Sequence, residues 1–299
     1  MIEVLSPGPQ ATIQDGGRSG HGHLGVPRAG AMDPLALSQA NRLVGNPAET
    51  AAIEFLLGGF TIRFTEAASF SLTGAPVAAY LGPTPVSRNR WTYARPGDAL
   101  TAGPPAYGLW TYLAVAGGID VPPVLSSRST DSLSGLGPPP LAPRDVLPVG
   151  SGGGTPAVPS DVFVENASAG RRLELSFHWG PRADWFTEET CRTFRTATWR
   201  VSSEVDRVAA RLTGPRLPHQ CLEQLPTEGV HPGSIQVPPS GQPLVFLANH
   251  PPTGGYPVIG VLCERDLGRM AQAAPGTMVS MRATRAGDGT RRMNKEGSW

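Results

Sequence analysis

Tyr112-Leu113-Ala114-Val115-Ala116-Gly117-Gly118 is a run of five apolar residues stopped by two glycines, and it sets the pattern of the chain. A short apolar run bounded by turn residues reads as a buried strand. The same punctuation frames Thr61–Phe64, Ser69–Leu72, Arg172–Phe177, Leu244–Leu247, Ile259–Leu262 and Met278–Met281. The 37 glycines and 32 prolines, about a quarter of the 299 residues, would suggest disorder if they did not fall between such runs. A mainly β chain is expected, built as a barrel or sandwich rather than a parallel sheet.

Helices are expected at three places, few and peripheral. Asp33 can cap a helix that begins with Pro34, carries Leu35, Ala36, Ala40, Leu43 and Val44 on its apolar face and stops at Gly45-Asn46. A shorter one starts at Thr187, whose hydroxyl suits the amides of Glu188-Glu189-Thr190. A third spans Arg265 to Ala273, with Leu267, Met270 and Ala271 on one face, and ends before Pro275-Gly276.

Composition removes several function classes. A net charge of +1 with 16% charged residues leaves no general footprint for nucleic acid. Lys295 is the only lysine, so the body of the chain carries no lysine for a Gly-rich phosphate loop, a Schiff base or attached biotin. Cys191, Cys221 and Cys263 are odd in number and far apart, which suits reduced thiols in a cytoplasmic protein and argues against a disulfide frame or a zinc site. Met1 to Gly8 shows no basic segment leading into an apolar one, and no run approaches the ~18 residues of a membrane span. Secretion and membrane insertion are therefore not expected.

Gly150-Ser151-Gly152-Gly153-Gly154-Thr155-Pro156 offers almost no side chain to pack and reads as a linker. It divides the chain into an N-terminal lobe, 1–150, and a C-terminal lobe, 151–283, followed by a disordered tail at 284–299. Arg95-Pro96-Gly97-Asp98, Ala142-Pro143-Arg144-Asp145 and Ala274-Pro275-Gly276-Thr277 share a turn that enters a strand, and Leu72-Thr73-Gly74 is echoed by Leu212-Thr213-Gly214. Either two related barrels or the ordinary recurrence of Pro-Gly turns explains these echoes.

Two stretches are built like ligand sites. Gln14-Asp15-Gly16-Gly17-Arg18 leads into Gly25-Val26-Pro27-Arg28-Ala29-Gly30-Ala31-Met32-Asp33, and Thr253-Gly254-Gly255-Tyr256-Pro257 lies near the other end. Each sets acid, amide or cation groups beside backbone that glycine lets a ligand approach.

These stretches, with Leu5-Ser6-Pro7-Gly8, Asn41-Arg42-Leu43-Val44-Gly45-Asn46, Tyr112 to Ile119, Ser127-Arg128-Ser129-Thr130, Asp206-Arg207 and Gly233-Ser234-Ile235-Gln236-Val237-Pro238, resemble the allophanate hydrolase subunit 2 family. The family is also described as biotin-dependent carboxyltransferase-like and as the C subunit of 5-oxoprolinase (KipA). The resemblance runs from Ile2 to about Arg282. It implies two cyclophilin-like β-barrel lobes, a KipI-like B subunit (allophanate hydrolase subunit 1) as partner and a further A subunit. It also implies ATP-dependent hydrolysis of 5-oxo-L-proline to L-glutamate. A biotin-dependent carboxyltransferase acting on urea or a related amide is one alternative, with biotin carried on another chain. A noncatalytic regulator that binds a KipI-like partner is the other.

Opening a lactam through a phosphorylated amide oxygen needs cations for phosphate and a carboxylate for water. Asp15 fits the base and Arg18 the oxyanion or phosphate clamp; an Asp-Arg pair that merely braces a glycine-rich loop fits the same residues. Gln14 adjoins them. Asp33 reads first as a helix cap that borders the site. Asp206 and Arg207 suit a polar substrate or a solvated ion pair. Glu228, a third catalytic candidate, stands close in sequence to His231 and Gln236, which offer an imidazole and an amide to substrate. Thr253, Gly254, Gly255 and Tyr256 suit an anion-binding nest or a tight turn. His21 and His23 have no partners at metal-ligand spacing, so no metal is expected.

The chain departs from the family pattern at Ala29 and Val205, where serines are usual, at Val208-Ala209 in place of Met-Gly, at Asn249 in place of aspartate, and at Val258 in place of lysine. These changes lower the charge of that edge and leave open an altered substrate or a smaller part in catalysis.

Overall fold

The computed structural model describes residues 1–152, 166–221 and 225–284. Most of the expected linker, and all of the expected tail except Thr284, lie outside the described residues.

The first half is two antiparallel sheets packed face to face. One sheet has six strands in the order Val146–Leu147, Ile2–Pro7, Phe60–Phe64, Ala99–Pro105, Val77–Leu81 and Thr84–Val86. The other has five, Gln10–Gln14, Ala52–Leu56, Trp110–Val115, Ala68–Gly74 and Trp91–Ala94. Ile13, Ile53, Phe55, Phe60, Ile62, Phe64, Phe70 and Leu113 fill the space between them. Phe55 stacks on Phe60 at 4.5 Å and Phe64 on Phe70 at 5.1 Å, each pair bridging the two sheets. Fully burying each of these rings contributes about 1.5–3 kcal/mol. Gly58 is required where the sheets meet, since φ is +70° and a Cβ would collide with the Gly103 carbonyl oxygen.

All six residues of Trp110–Val115 are buried, and alternation divides them between two cores. Leu113 and Val115 enter the space between the sheets. Trp110, Tyr112 and Ala114 point the other way, into a core shared with the second half. That double burial is why this strand reads as an unbroken apolar run.

The second half is a closed seven-stranded barrel of Arg172–Trp179, Val258–Leu262, Ser234–Gln236, Leu244–Phe246, Ala209–Thr213, Thr198–Val205 and Met278–Ala283. Arg172–Trp179 and Met278–Ala283 pair in parallel to close it. Its interior holds Leu175, Phe177, Trp199, Leu212, Ile235, Val245, Ile259 and Val279. Closure is thus complete in this half, while the first half remains two sheets. Each expected strand is present, and the three repeated turns each deliver the chain into one, at Ala99, Val146 and Met278.

Among the described residues, three short α-helices accompany the sheets: α1 (Pro34–Leu43), α2 (Glu188–Thr196) and α3 (Glu264–Ala271). Asp33 caps α1 by accepting from the Ala36 amide at 3.1 Å, and Thr187 caps α2 by accepting from the Thr190 amide at 3.1 Å. Helix α1 is not peripheral as expected. The hydroxyls of Ser71 and Thr73 donate to its Ala40 and Ala36 carbonyls at 2.7 Å, and its apolar face joins the core that continues into the barrel.

Candidate functional site between the two halves

The loop after the Gln10–Gln14 strand folds back on residues 28 to 31. The Arg18 amide donates to the Arg28 carbonyl at 2.8 Å, and the Ala31 amide donates to the Asp15 carbonyl at 3.2 Å. Gly17 makes this approach possible, because φ is +82° and a Cβ would stand 2.6 Å from the Arg28 carbonyl oxygen. Asp15 then organises residues 127–129, a later segment of the same half. Its carboxylate accepts from the Gly17 amide at 2.8 Å, the Ser127 and Ser129 hydroxyls at 2.7 and 2.6 Å, and the Arg128 amide at 2.5 Å.

Arg18 is inside this network, not on its surface. Its side chain is fully buried, Nη2 donates to the Ser129 carbonyl at 2.5 Å, and Nη1 lies 3.8 Å from the equally buried Asp131 carboxylate. Burial lowers the guanidinium from its usual value, with Asp131 and Asp15 pulling it back up. The expected phosphate clamp is therefore corrected to a brace, since a buried cation already shared between a carbonyl and a carboxylate has no face for a ligand. Gln14 is likewise buried and donates to Thr12 and to the Thr130 carbonyl.

Beside this loop a cleft of about 900 Å³ opens between the halves. One wall is Asp15, Gly16, Arg28 to Met32, the start of α1 and Glu49; the other is Pro232, Leu247, Ala248 and Glu264 to Arg269 of α3. The N-terminal glycine-rich loop and the C-terminal half do share a cavity. Thr253, Gly254, Gly255 and Tyr256 do not line it.

Those four residues sit at a rim of the barrel, where Thr253–Gly254 pairs with Glu228–Gly229. Glu228 is held in an ion pair by Arg182, which lowers its carboxyl, and the Gln236 amide donates to the Tyr256 carbonyl at 3.0 Å. Glu228 and Gln236 thus have separate partners, Arg182 and the Tyr256 carbonyl, while His231 adjoins the cleft residue Pro232 and donates its backbone amide to the Ser234 hydroxyl. Asp206 is exposed and accepts from the Val208 and Ala209 amides at 2.8 and 3.0 Å, which makes it a turn former.

Arg207 is buried and reaches across to the first half. It pairs with Glu54, donates to the Gly30 carbonyl at 2.5 Å and lies 5.7 Å over the Trp110 ring. Burial pulls it down to about 9, so it keeps its charge at neutral pH. The other oxygen of Glu54 accepts from the Met32 amide at 2.8 Å and the Tyr112 hydroxyl at 2.7 Å. The Tyr112 oxygen in turn accepts from the Asp33 amide at 2.7 Å.

Asp33 caps α1 and also joins the halves, accepting from Asn166 at 2.7 Å and Gln272 at 3.1 Å. Its carboxyl is raised by burial, an effect these donors only partly offset. Gln272 accepts from the Leu109 and Trp110 amides at 2.9 Å and donates to the Trp110 carbonyl at 2.9 Å. Asn249 donates to Asp131 at 2.6 Å and accepts from the Ser132 amide at 3.1 Å. Burial raises the Asp131 carboxyl, but Asn249, Ser134 and the Leu133 amide together bring it below its ordinary value.

Glu54, Asp131 and Gln272 escaped the sequence reading, as did the junction role of Tyr112. A glutamate inside Ala52-Ile53-Glu54-Phe55-Leu56 was the available signal, because a charge in a buried strand demands a partner. His250 is a further buried group near the cleft. Burial lowers its imidazole, as do nearby His231 and Arg28, while the Pro251 carbonyl at 2.7 Å opposes them. Among the described residues, no group of three His, Cys, Asp or Glu is placed to hold a metal ion.

Residues 24–283 match the family model described as carboxyltransferase domain, subdomain A and B. The chain belongs to this carboxyltransferase family. Within it, the chain is 37% identical to the C subunit of 5-oxoprolinase from Escherichia coli, over 92% of this chain and 89% of that protein. It is 34% identical to the corresponding 5-oxoprolinase C subunit of Haemophilus influenzae, over 95% and 91%. The urea amidolyase of Lachancea kluyveri is 30% identical over 93% of this chain, which spans only 16% of that protein. Among solved structures, the urea amidolyase of K. lactis superposes on this carboxyltransferase-family fold with a TM-score of 0.86 at 27% identity, over 94% of this chain and 18% of the other. A structure titled TTHA0988 does so at 0.84 and 33%, over 94% and 55%. No helix among the described residues is long and apolar enough to cross a membrane.

Proposed function

We propose that this chain is the C-subunit-like component of a cytoplasmic, ATP-dependent 5-oxoprolinase, with its substrate-handling surface in the cleft between the two halves. The observation that carries this reading is the near end-to-end correspondence with two bacterial 5-oxoprolinase C subunits. The cleft agrees with it. 5-Oxoproline is a small anionic cyclic amide, and the two walls carry Arg28 and Arg265, which would suit its carboxylate, and Met32, Leu37 and Leu247, which would suit its ring. Asp15 shapes that wall and is not assigned as the base, because four donors already occupy its carboxylate.

The charge of this cleft does not favour ATP. Asp33 closes the start of α1, Glu264 and Asp266 occupy the first turn of α3, and the carboxylates lining the cavity outnumber its guanidiniums. A triphosphate meets repulsion at both helix starts, so no nucleotide step is assigned to these residues, and nucleotide handling falls to the A and B partners.

The test is reconstitution. ATP hydrolysis and glutamate release from 5-oxoproline are measured for the A and B partners with and without this chain, and again with Arg28→Ala or Arg265→Ala. The reading requires that this chain stimulate turnover and that these variants raise KM. The carboxyltransferase alternative, favoured by the urea amidolyase superposition, requires instead carboxyl transfer from a biotin carrier supplied in trans. Tight binding to the KipI-like B partner without stimulation marks the chain as a regulator.

A further inference from the structure

Cys263 follows the Val258–Leu262 strand and stands at the N-cap of α3 without a side-chain cap bond. Its Sγ lies 3.6 Å from Nε2 of His178 on the neighbouring barrel strand. The backbone pairing of Phe177 with Leu262 fixes that neighbourhood. On the far side of the ring, Nδ1 lies 2.7 Å from the Thr284 hydroxyl, which also donates to the Phe177 carbonyl at 3.3 Å. When the threonine proton is on the Phe177 carbonyl, the 2.7 Å contact is the Nδ1–H of His178 donating to Thr284 Oγ1. Nε2 is then the unprotonated nitrogen, and it faces the thiol.

The neighbouring base distinguishes Cys263 from the equally half-buried Cys191. His178 is exposed and Cys263 half-buried, so small solutes reach the pair. Cys191 instead approaches the Ala183 carbonyl at 3.7 Å, a group that cannot take up a proton. Burial raises the Cys263 thiol, with Arg265 pulling it down and Asp266 pushing it up. The resting form is therefore the thiol, and reaction depends on a base that removes its proton during attack.

We propose that Cys263, with His178 as its base and Thr284 holding the imidazole tautomer, is a site of reversible exchange with low-molecular-weight disulfides. As the Cys263 sulfur attacks, its proton passes to His178 Nε2, a new S–S bond forms and the S–S bond of the solute breaks. The departing thiolate takes the proton from His178. One disulfide is consumed and one thiol released, with no other oxidant. Because Glu264 to Arg269 line the cleft, the adduct stands at the end of α3 beside it.

Oxidised glutathione is the probe for the adduct, located by peptide mass spectrometry, and an aromatic disulfide reagent reports rates. In a Cys191→Ser, Cys221→Ser background, His178→Gln should slow modification of Cys263 about tenfold or more with circular dichroism unchanged. Thr284→Val keeps the imidazole but frees its tautomer, and its rate should fall between the two. A Cys263 rate unaffected by His178→Gln, or Cys191 outpacing Cys263 in the otherwise unaltered chain, would overturn the assignment. A Thr284→Val rate equal to the parent removes Thr284 from it.

Discussion

Arg207 and Glu54 carry opposite charges into the junction with side chains 3% and 0% exposed. Arg207→Met keeps much of the stem and removes the guanidinium. Glu54 then retains only the Met32 amide and Tyr112 hydroxyl, both on one oxygen, while the other oxygen and the Gly30 carbonyl lose their donor. Breaking a buried pair by removing one member costs about 3–5 kcal/mol, because the survivor stays charged without compensation. That is a large share of the ~5–15 kcal/mol holding a typical domain. Adding Glu54→Gln removes the stranded charge and keeps a carbonyl for the two remaining donors. The double variant should lose only about 1–3 kcal/mol, the cost of an unmet amide N–H and the Gly30 carbonyl. Urea denaturation followed by tryptophan fluorescence and circular dichroism compares the three proteins. A double variant no more stable than Arg207→Met would refute the argument that an uncompensated charge sets the cost.

Gln272→Ala leaves the Leu109 and Trp110 amides and the Trp110 carbonyl without their partner, and the denaturation midpoint should fall by the equivalent of about 2–4 kcal/mol. Asp15→Asn sets an NH₂ against a backbone N–H in either orientation, that of Gly17 or of Arg128; a drop of about 1–3 kcal/mol and loss of reconstituted turnover are expected, and an unchanged melting temperature counts against the brace. Asp33 supplies a pH signature. Its carboxyl is raised by burial, so the folded state binds that proton more tightly than the unfolded chain does. Its contribution to stability is complete below the unfolded value of about 3.9 and is lost as pH rises through the folded value. The stability advantage of the native chain over Asp33→Asn should therefore be largest in acid and shrink as pH rises, and an advantage that grows instead contradicts the burial argument.

What was legible in the sequence was local. Asp33 before Pro34, Thr187 before Glu188-Glu189 and Pro-Gly turns ahead of strands each act within a few residues, and the structure uses them as read. The roles of Asp15 and Arg18 were not legible, because they depend on Ser127, Ser129 and Asp131, more than a hundred positions away. An acid and an arginine three positions apart look the same whether they face solvent or are sealed under a later segment. The Gly254-Gly255 turn illustrates the same limit. Its composition suits a ligand, but its pairing with Glu228–Gly229 directs it to a barrel rim, a placement fixed by strand register rather than by residue type.

The junction behind the cleft has a consequence for how a ligand is admitted. Its fixed points are Arg207 on Glu54 and Gly30, Gln272 and Asn166 on Asp33, and Asn249 on Asp131, all buried or half-buried and each drawing one partner from either half. Opening the walls like a hinge would expose an ion pair and several hydrogen bonds together, at a cost well above that of reordering one surface loop. Under the proposed function, such a cleft would meet its substrate with a preformed shape, and Arg28 and Arg265 would supply charge at its edge. A defect at Gln272, which does not line the cleft itself, should then act through the position of α1 and α3. It should raise KM for a substrate handled there more than it lowers kcat, and the reverse pattern would place the flexibility in the loops instead.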